Sequence, residues 1–107
     1  MIIDLDALKP SQVYFSMTQT LLPRPIAWVL SENADRGLNL APFSYFNAVC
    51  SDPPLVMISV GRKPDGTPKD TRANIEQRGH FVIHIPHREQ IRAVSDSSAT
   101  LPAGDSE

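Results

Sequence analysis

Two stretches of this chain hold the residue types from which a ligand site can be built. The first, Asn39-Leu40-Ala41-Pro42-Phe43-Ser44-Tyr45-Phe46-Asn47, sets three aromatic rings beside one Ser and two Asn within nine residues. Pro42 opposes regular strand pairing there. An irregular segment of this kind can lay backbone amides and small polar groups along the edge of a planar heteroaromatic, with a ring free to stack. The same residues also suit an aromatic-rich core strand with its polar side chains facing out. The second stretch is Lys69-Asp70-Thr71, at the expected start of a helix. Residues 62–72 carry Arg62, Lys63, Lys69 and Arg72 against Asp65 and Asp70, in a chain whose net charge is −2. A helix N-terminus offers free N–H groups and the positive end of the dipole, which suit a phosphate. Thr71 adds a hydroxyl and Lys69 a full charge. Asp70 repels an anion unless its carboxylate is turned aside, to cap the helix or to bind Lys or Arg. An ordinary capped helix with a solvated basic rim would read the same way.

Other chemistry finds no pattern. Gly61 and Gly66 have the spacing that opens a phosphate-binding P-loop, but Thr67-Pro68 stands where that loop needs Lys and Ser or Thr. No G-x-G-x-x-G follows a strand. His80 and His84 on an extended strand would stand about 13 Å apart at ~3.3 Å per residue, too far to share an ion, so no metal site is expected. Cys50 has no basic neighbour in sequence to lower its pKa and reads as a buried, inert thiol. Ser44 and Ser59 sit in no G-x-S-x-G elbow. No side chain is therefore assigned an essential catalytic role.

The elements that position these stretches can be read from the pattern. Length (107 residues) and an apolar share of 41% suit one small domain. Ten prolines, about twice the usual ~5%, cut the chain into short elements. Residues 1–23 read weakly, with a helical turn starting at Pro10-Ser11. Ile26–Leu30 reads as a strand, and the polar stretch from Ser31 to Gly37 joins it to the next. Leu55–Val60 is the clearest strand, its unbroken apolar run suggesting burial on both faces. A helix is expected from Asp70 or Thr71 to Arg78, stopped by Gly79, then a strand over Phe81–Ile85 and a helix from Pro86 through Val94. The end of the chain is acidic with one large apolar residue. That makes three or four strands in all, a small sheet that needs either a second chain or more sequence beyond Glu107 to complete it. The acidic balance lacks the basic surplus of a nucleic-acid binder. A single Cys, no apolar run of membrane-spanning length and no signal-peptide start point to a soluble, cytoplasmic protein without membrane or nucleic-acid partners.

In order, Arg24-Pro25-Ile26-Ala27-Trp28-Val29, Asn39 through Asn47, Ser51-Asp52-Pro53-Pro54, and Lys69-Asp70-Thr71 with Asn74 and Ile75 form a series. This series resembles the flavin reductase-like, FMN-binding split-barrel family, including its flavoredoxin-like members, over roughly residues 20–107. The resemblance implies a mainly β fold with short helices, a Greek-key antiparallel split barrel, incomplete in this chain because family domains continue further. It implies a homodimer with FMN near the subunit interface. By position, Asn39, Ala41, Pro42, Ser44, Tyr45, Phe46 and Asn47 border the flavin ring and ribityl chain. Lys69 and Thr71, with Asp70 between them, hold the phosphate end. Arg24 and Trp28 are further candidates, and Asn74 braces the loop.

The activity so implied is hydride transfer from NAD(P)H to bound FMN, with electrons passed on to free flavin, a partner monooxygenase or another acceptor. Two alternatives share the sequence. One is an FMN-binding electron carrier without NAD(P)H reductase activity, for which NAD(P)H oxidation with added FMN would not exceed the protein-free rate. The other is a truncated, non-catalytic interaction module.

Overall fold

Ala27–Glu32 (β1) is the central strand, flanked by Leu38–Phe43 (β2) and Val82–His84 (β5) in an antiparallel sheet of order β2-β1-β5. Phe46–Ser51 (β3) and Pro54–Ile58 (β4) pair as a second antiparallel sheet. Around them lie the helices Pro10–Thr20 (α1), Asp70–Arg78 (α2) and Ile91–Asp96 (α3), with 3-10 turns at Leu5–Ala7 and Arg88–Gln90. The computed structural model describes residues 1–98, so the acidic end read from the sequence lies mostly outside the described residues. The two sheets do not join into a closed barrel among the described residues. The architecture is mainly antiparallel β with short helices, the fold class that the resemblance implies.

The polar stretch after Glu32 makes the expected turn. Asn33 N–H donates to the Gly37 carbonyl (2.8 Å), Arg36 N–H to the Asn33 carbonyl (3.0 Å), and Gly37 N–H to Asp35 Oδ1 (2.8 Å). The resulting register pairs Ala27 with Phe43, Val29 with Ala41 and Ser31 with Asn39. Side chains alternate across a strand, so these six share one face of the sheet. That face packs on α2 and holds the core: Ala27, Val29 and Phe43 are buried, and Ala41, Ile75 and Ile83 pack against them. Trp28 points the other way, and its indole Nε1 donates to Ser97 Oγ at 2.9 Å, just past α3.

Helix α2 begins and ends where sequence reading puts it. Gly79 closes it at φ 73°, its N–H bonded to the Ile75 carbonyl (2.8 Å). Nothing within 4 Å would crowd a Cβ there, so only backbone strain opposes a side chain. Gly79→Ala is expected to cost about 1–2 kcal/mol, the left-handed penalty of an L-residue, read as a lowered urea midpoint with unchanged slope.

Several expectations need correction. The weakly read N-terminus contains an eleven-residue helix, α1. Pro10 stands at its first position and Lys9 N–H bonds Gln12 Oε1 (2.9 Å), which starts it. No residue of α1 is buried, which is why no apolar stripe announces it. Five strands are present among the described residues, rather than three or four. Strand β4 ends at Ile58, and Leu55, Val56 and Met57 are each about half exposed, not buried on both faces. An apolar run reports composition, whereas burial needs a second layer, and β4 has only β3 beside it. Pro42 does not break pairing: it lies in β2, opposite Trp28. The Asn33–Gly37 bond continues the same register, so the odd-numbered residues of β1 sit in the hydrogen-bonded pairs and Pro42 turns its missing N–H away from the ladder. The helix expected from Pro86 starts as the 3-10 turn Arg88–Gln90 and continues as α3. Cys50 is exposed, its thiol donating to the Pro53 carbonyl (3.1 Å).

Candidate flavin site

The chain crosses from one sheet to the other at Ser44-Tyr45, where the Tyr45 carbonyl accepts from Ser59 N–H (2.9 Å). Beside this crossing lies a groove of about 480 Å³. One wall is Met17 of α1 with residues 21–25, and the other is residues 44–47 with Met57. Apolar side chains dominate it, with Arg24, Ser44, Tyr45 and Asn47 as its polar members. Arg24 Nη1 donates to the Thr18 carbonyl (2.9 Å) and the Leu21 carbonyl (2.7 Å), and its guanidinium lies 5.7 Å from the Tyr45 ring centroid. Tyr14 of α1 meets the same ring, centroids 6.1 Å apart. Arg24 Nε and the Tyr45 hydroxyl are buried without a hydrogen-bond partner.

At this same end of β2, Phe43 immediately precedes Ser44 and carries Lys69 above it, the ammonium 5.9 Å from the ring centroid. Lys69 is the residue before α2 and forms no ion pair among the described residues. Asp70 is turned aside: Lys63 Nζ holds its Oδ1 at 3.0 Å, with both side chains largely buried. The loop supplying Lys63 is itself tight. Lys63 N–H bonds the Thr67 carbonyl (2.9 Å), Gly66 N–H the Lys63 carbonyl (2.8 Å), and Arg62 pairs with Pro68. The Thr67 hydroxyl, then its amide, hold the exposed Asp65 carboxyl below its ordinary range.

A buried polar cluster fastens α2 to the β1–β2 hairpin. Asn39 Nδ2 donates to Thr71 Oγ1 (3.1 Å), and Asn74 Nδ2 donates to both Ser31 Oγ (3.1 Å) and Asn33 Oδ1 (2.8 Å). All five residues are buried. Buried amides and hydroxyls so arranged fix one orientation of a helix, because sliding it would leave each unpaired.

The predicted site residues thus fall into three places. Arg24, Ser44, Tyr45, Phe46 and Asn47 meet at the groove. Lys69 and Asp70 lie at the start of α2, with Asn39, Thr71 and Asn74 buried beneath it and Ala41 in the adjoining core. Trp28 and Pro42 sit on the sheet face opposite the core, and neither lines the groove. Sequence reading missed the α1 wall, Tyr14 and Met17, and the partners Ser31, Asn33, Lys63 and Ser97. Only the proline at the first helical position of α1 could have pointed to that wall.

Among the described residues no cluster of three His, Cys, Asp or Glu could hold a metal, and no helix is long and apolar enough to cross a membrane. The chain is 45% identical over 102 residues to an uncharacterized protein of Halalkalibacterium halodurans, covering 95% of this chain and 49% of that protein. It superposes on the crystal structure of nitrilotriacetate monooxygenase component B from Bacillus cereus with a TM-score of 0.90, at 38% identity over 99% of this chain and 52% of that one. With the Pseudomonas fluorescens 2-nitrobenzoate 2-nitroreductase NbaA the TM-score is 0.85, at 32% identity over 96% and 49%. The chain spans about half the length of these relatives. Residues 17–107 match the family described as "Flavin reductase like domain", and the fold and the shared identity agree with that match: the chain belongs to the flavin reductase-like domain family.

Proposed function

We propose that this chain is the FMN-holding part of a cytoplasmic, homodimeric flavoprotein oxidoreductase fed by NAD(P)H. The observation that carries the reading is that Phe43, which lies under an ammonium of Lys69 that forms no ion pair among the described residues, leads directly into the groove residues Ser44–Asn47. The residues present fit the group. Apolar walls suit the faces of a planar ring, and the buried Tyr45 hydroxyl lacks a partner, as expected where a polar ring edge completes the bonding. Ser44 and Asn47 supply further hydrogen-bonding groups. Lys69 supplies the charge for the phosphate, and Lys63 removes Asp70 as a source of repulsion. Thr71 and Asn39 are buried and bonded to each other, so their part is to fix the start of α2, with Asn74 bracing it from the next turn. When bound, the flavin supplies the redox chemistry, taking a hydride from NAD(P)H and giving electrons to free flavin, a partner monooxygenase or another acceptor. The protein's share is orientation and electrostatics, in keeping with the absence of any acid–base pattern in the sequence.

The test is a fluorescence titration of the protein with FMN and with riboflavin, before and after Lys69→Ala. Saturable quenching by FMN is expected. A charge-assisted contact contributes about 1.5–3 kcal/mol, so the variant should weaken FMN roughly 10- to 100-fold and leave riboflavin unchanged. Equal weakening of both flavins would move the phosphate away from Lys69. Failure of the unaltered protein to bind either would overturn the reading.

A further inference from the structure

We propose that Arg24 is a positioning residue that locks α1 in place as the outer wall of the groove, so that its docking sets how long a planar ligand stays bound. The ligand part rests on the flavin reading above; the lock itself rests on geometry alone.

Helix α1 has no buried residue and no basic side chain in its last turn, and it ends at Leu21 rather than at a glycine cap. Its final carbonyls therefore need an outside donor. Arg24, beyond the helix, provides one: a single Nη1 reaches the carbonyls of both Thr18 and Leu21 and brings a positive charge to the negative end of the helix dipole. The same guanidinium lies over Tyr45, which belongs to the opposite wall. Arg24 thus touches both sides of the groove at once. Tyr14 adds the only aromatic pairing among the described residues, again between α1 and Tyr45. Docking leaves Arg24 Nε and the Tyr45 hydroxyl desolvated and unpaired. That cost makes the docked state shallow, so α1 can loosen while the sheet beneath stays folded.

The test compares the unaltered protein with Arg24→Met and Arg24→Lys by amide hydrogen exchange without ligand and by stopped-flow FMN release. Arg24→Met is expected to speed exchange of the α1 amides about tenfold, the loss of one charge-assisted contact, while amides of β1 and β2 keep their rates. It should raise the FMN dissociation rate by a similar factor and change association little. Arg24→Lys should restore part of both, since an ammonium can still cap the carbonyls but cannot lie flat on the ring. Unchanged α1 exchange in Arg24→Met overturns the lock, and loosened α1 with unchanged FMN release overturns its role in the groove. Where Arg24→Met does not fold, Tyr14→Ala, an exposed substitution at the same contact, gives the same readout with a smaller effect. Absence of FMN binding by the unaltered protein removes the flavin reading, while the exchange result still decides the lock by itself.

Discussion

Phe43→Ala is expected to unfold much of the population. Phe43 is only 7% exposed and forms the core with Ala27 and Val29, neither of which reaches solvent. Removing a buried phenyl ring costs about 3–5 kcal/mol, through lost transfer energy and the cavity left behind. Native domains are stable by only about 5–15 kcal/mol, and one with so few fully buried apolar residues stands at the low end. Urea unfolding followed by Trp28 fluorescence would measure the loss, and Phe43→Leu, closer in volume, should cost less. A loss under about 1 kcal/mol would mean that the end of β2 is not packed as described. The ring has a second task, since Lys69 lies over it. Phe43→Leu should therefore also weaken FMN more than riboflavin, linking the core to the proposed phosphate end.

Asn74→Ala is the other large effect. One amide nitrogen serves both Ser31 Oγ and Asn33 Oδ1, and all three residues are buried. Its removal leaves two buried groups without their donor, at about 1–3 kcal/mol each before any rearrangement, so a total of roughly 2–4 kcal/mol is expected. The distinguishing measurement is a double-mutant cycle with Ser31→Ala. Removing both partners should cost less than the sum of the single losses, with a coupling of about 0.5–3 kcal/mol. Strict additivity would mean that α2 is held by apolar packing alone.

These two residues also mark the difference between what patterns convey and what they omit. Asn74 is legible as a member of an ordered series of motifs, and its role as a brace follows from its place one turn into α2. Which groups it braces is not legible, because Ser31 and Asn33 are some forty positions away and one of them lies in a turn. Phe43 and Ser44 are neighbours in a stretch that reads equally well as core or as ligand contact. The structure divides it: alternation sends Asn39, Ala41 and Phe43 to the α2 face, while Ser44–Asn47 pass to the groove.

Local pattern carries the family, the extent of α2 with its glycine stop, the β1–β2 hairpin and its turn, and the two stretches where a ligand site could form. Each is a local matter: turn residues, capping and side-chain periodicity act over a few neighbours, so the pattern carries them. Packing alone settles that Asp70 is neutralised by Lys63, that Thr71 and Asn39 are buried against each other, that Trp28 turns its indole to Ser97, and that α1 walls the groove. These depend on which distant groups meet and on which faces gain a second layer. Burial and pairing are properties of the packed whole, and no window of sequence contains them.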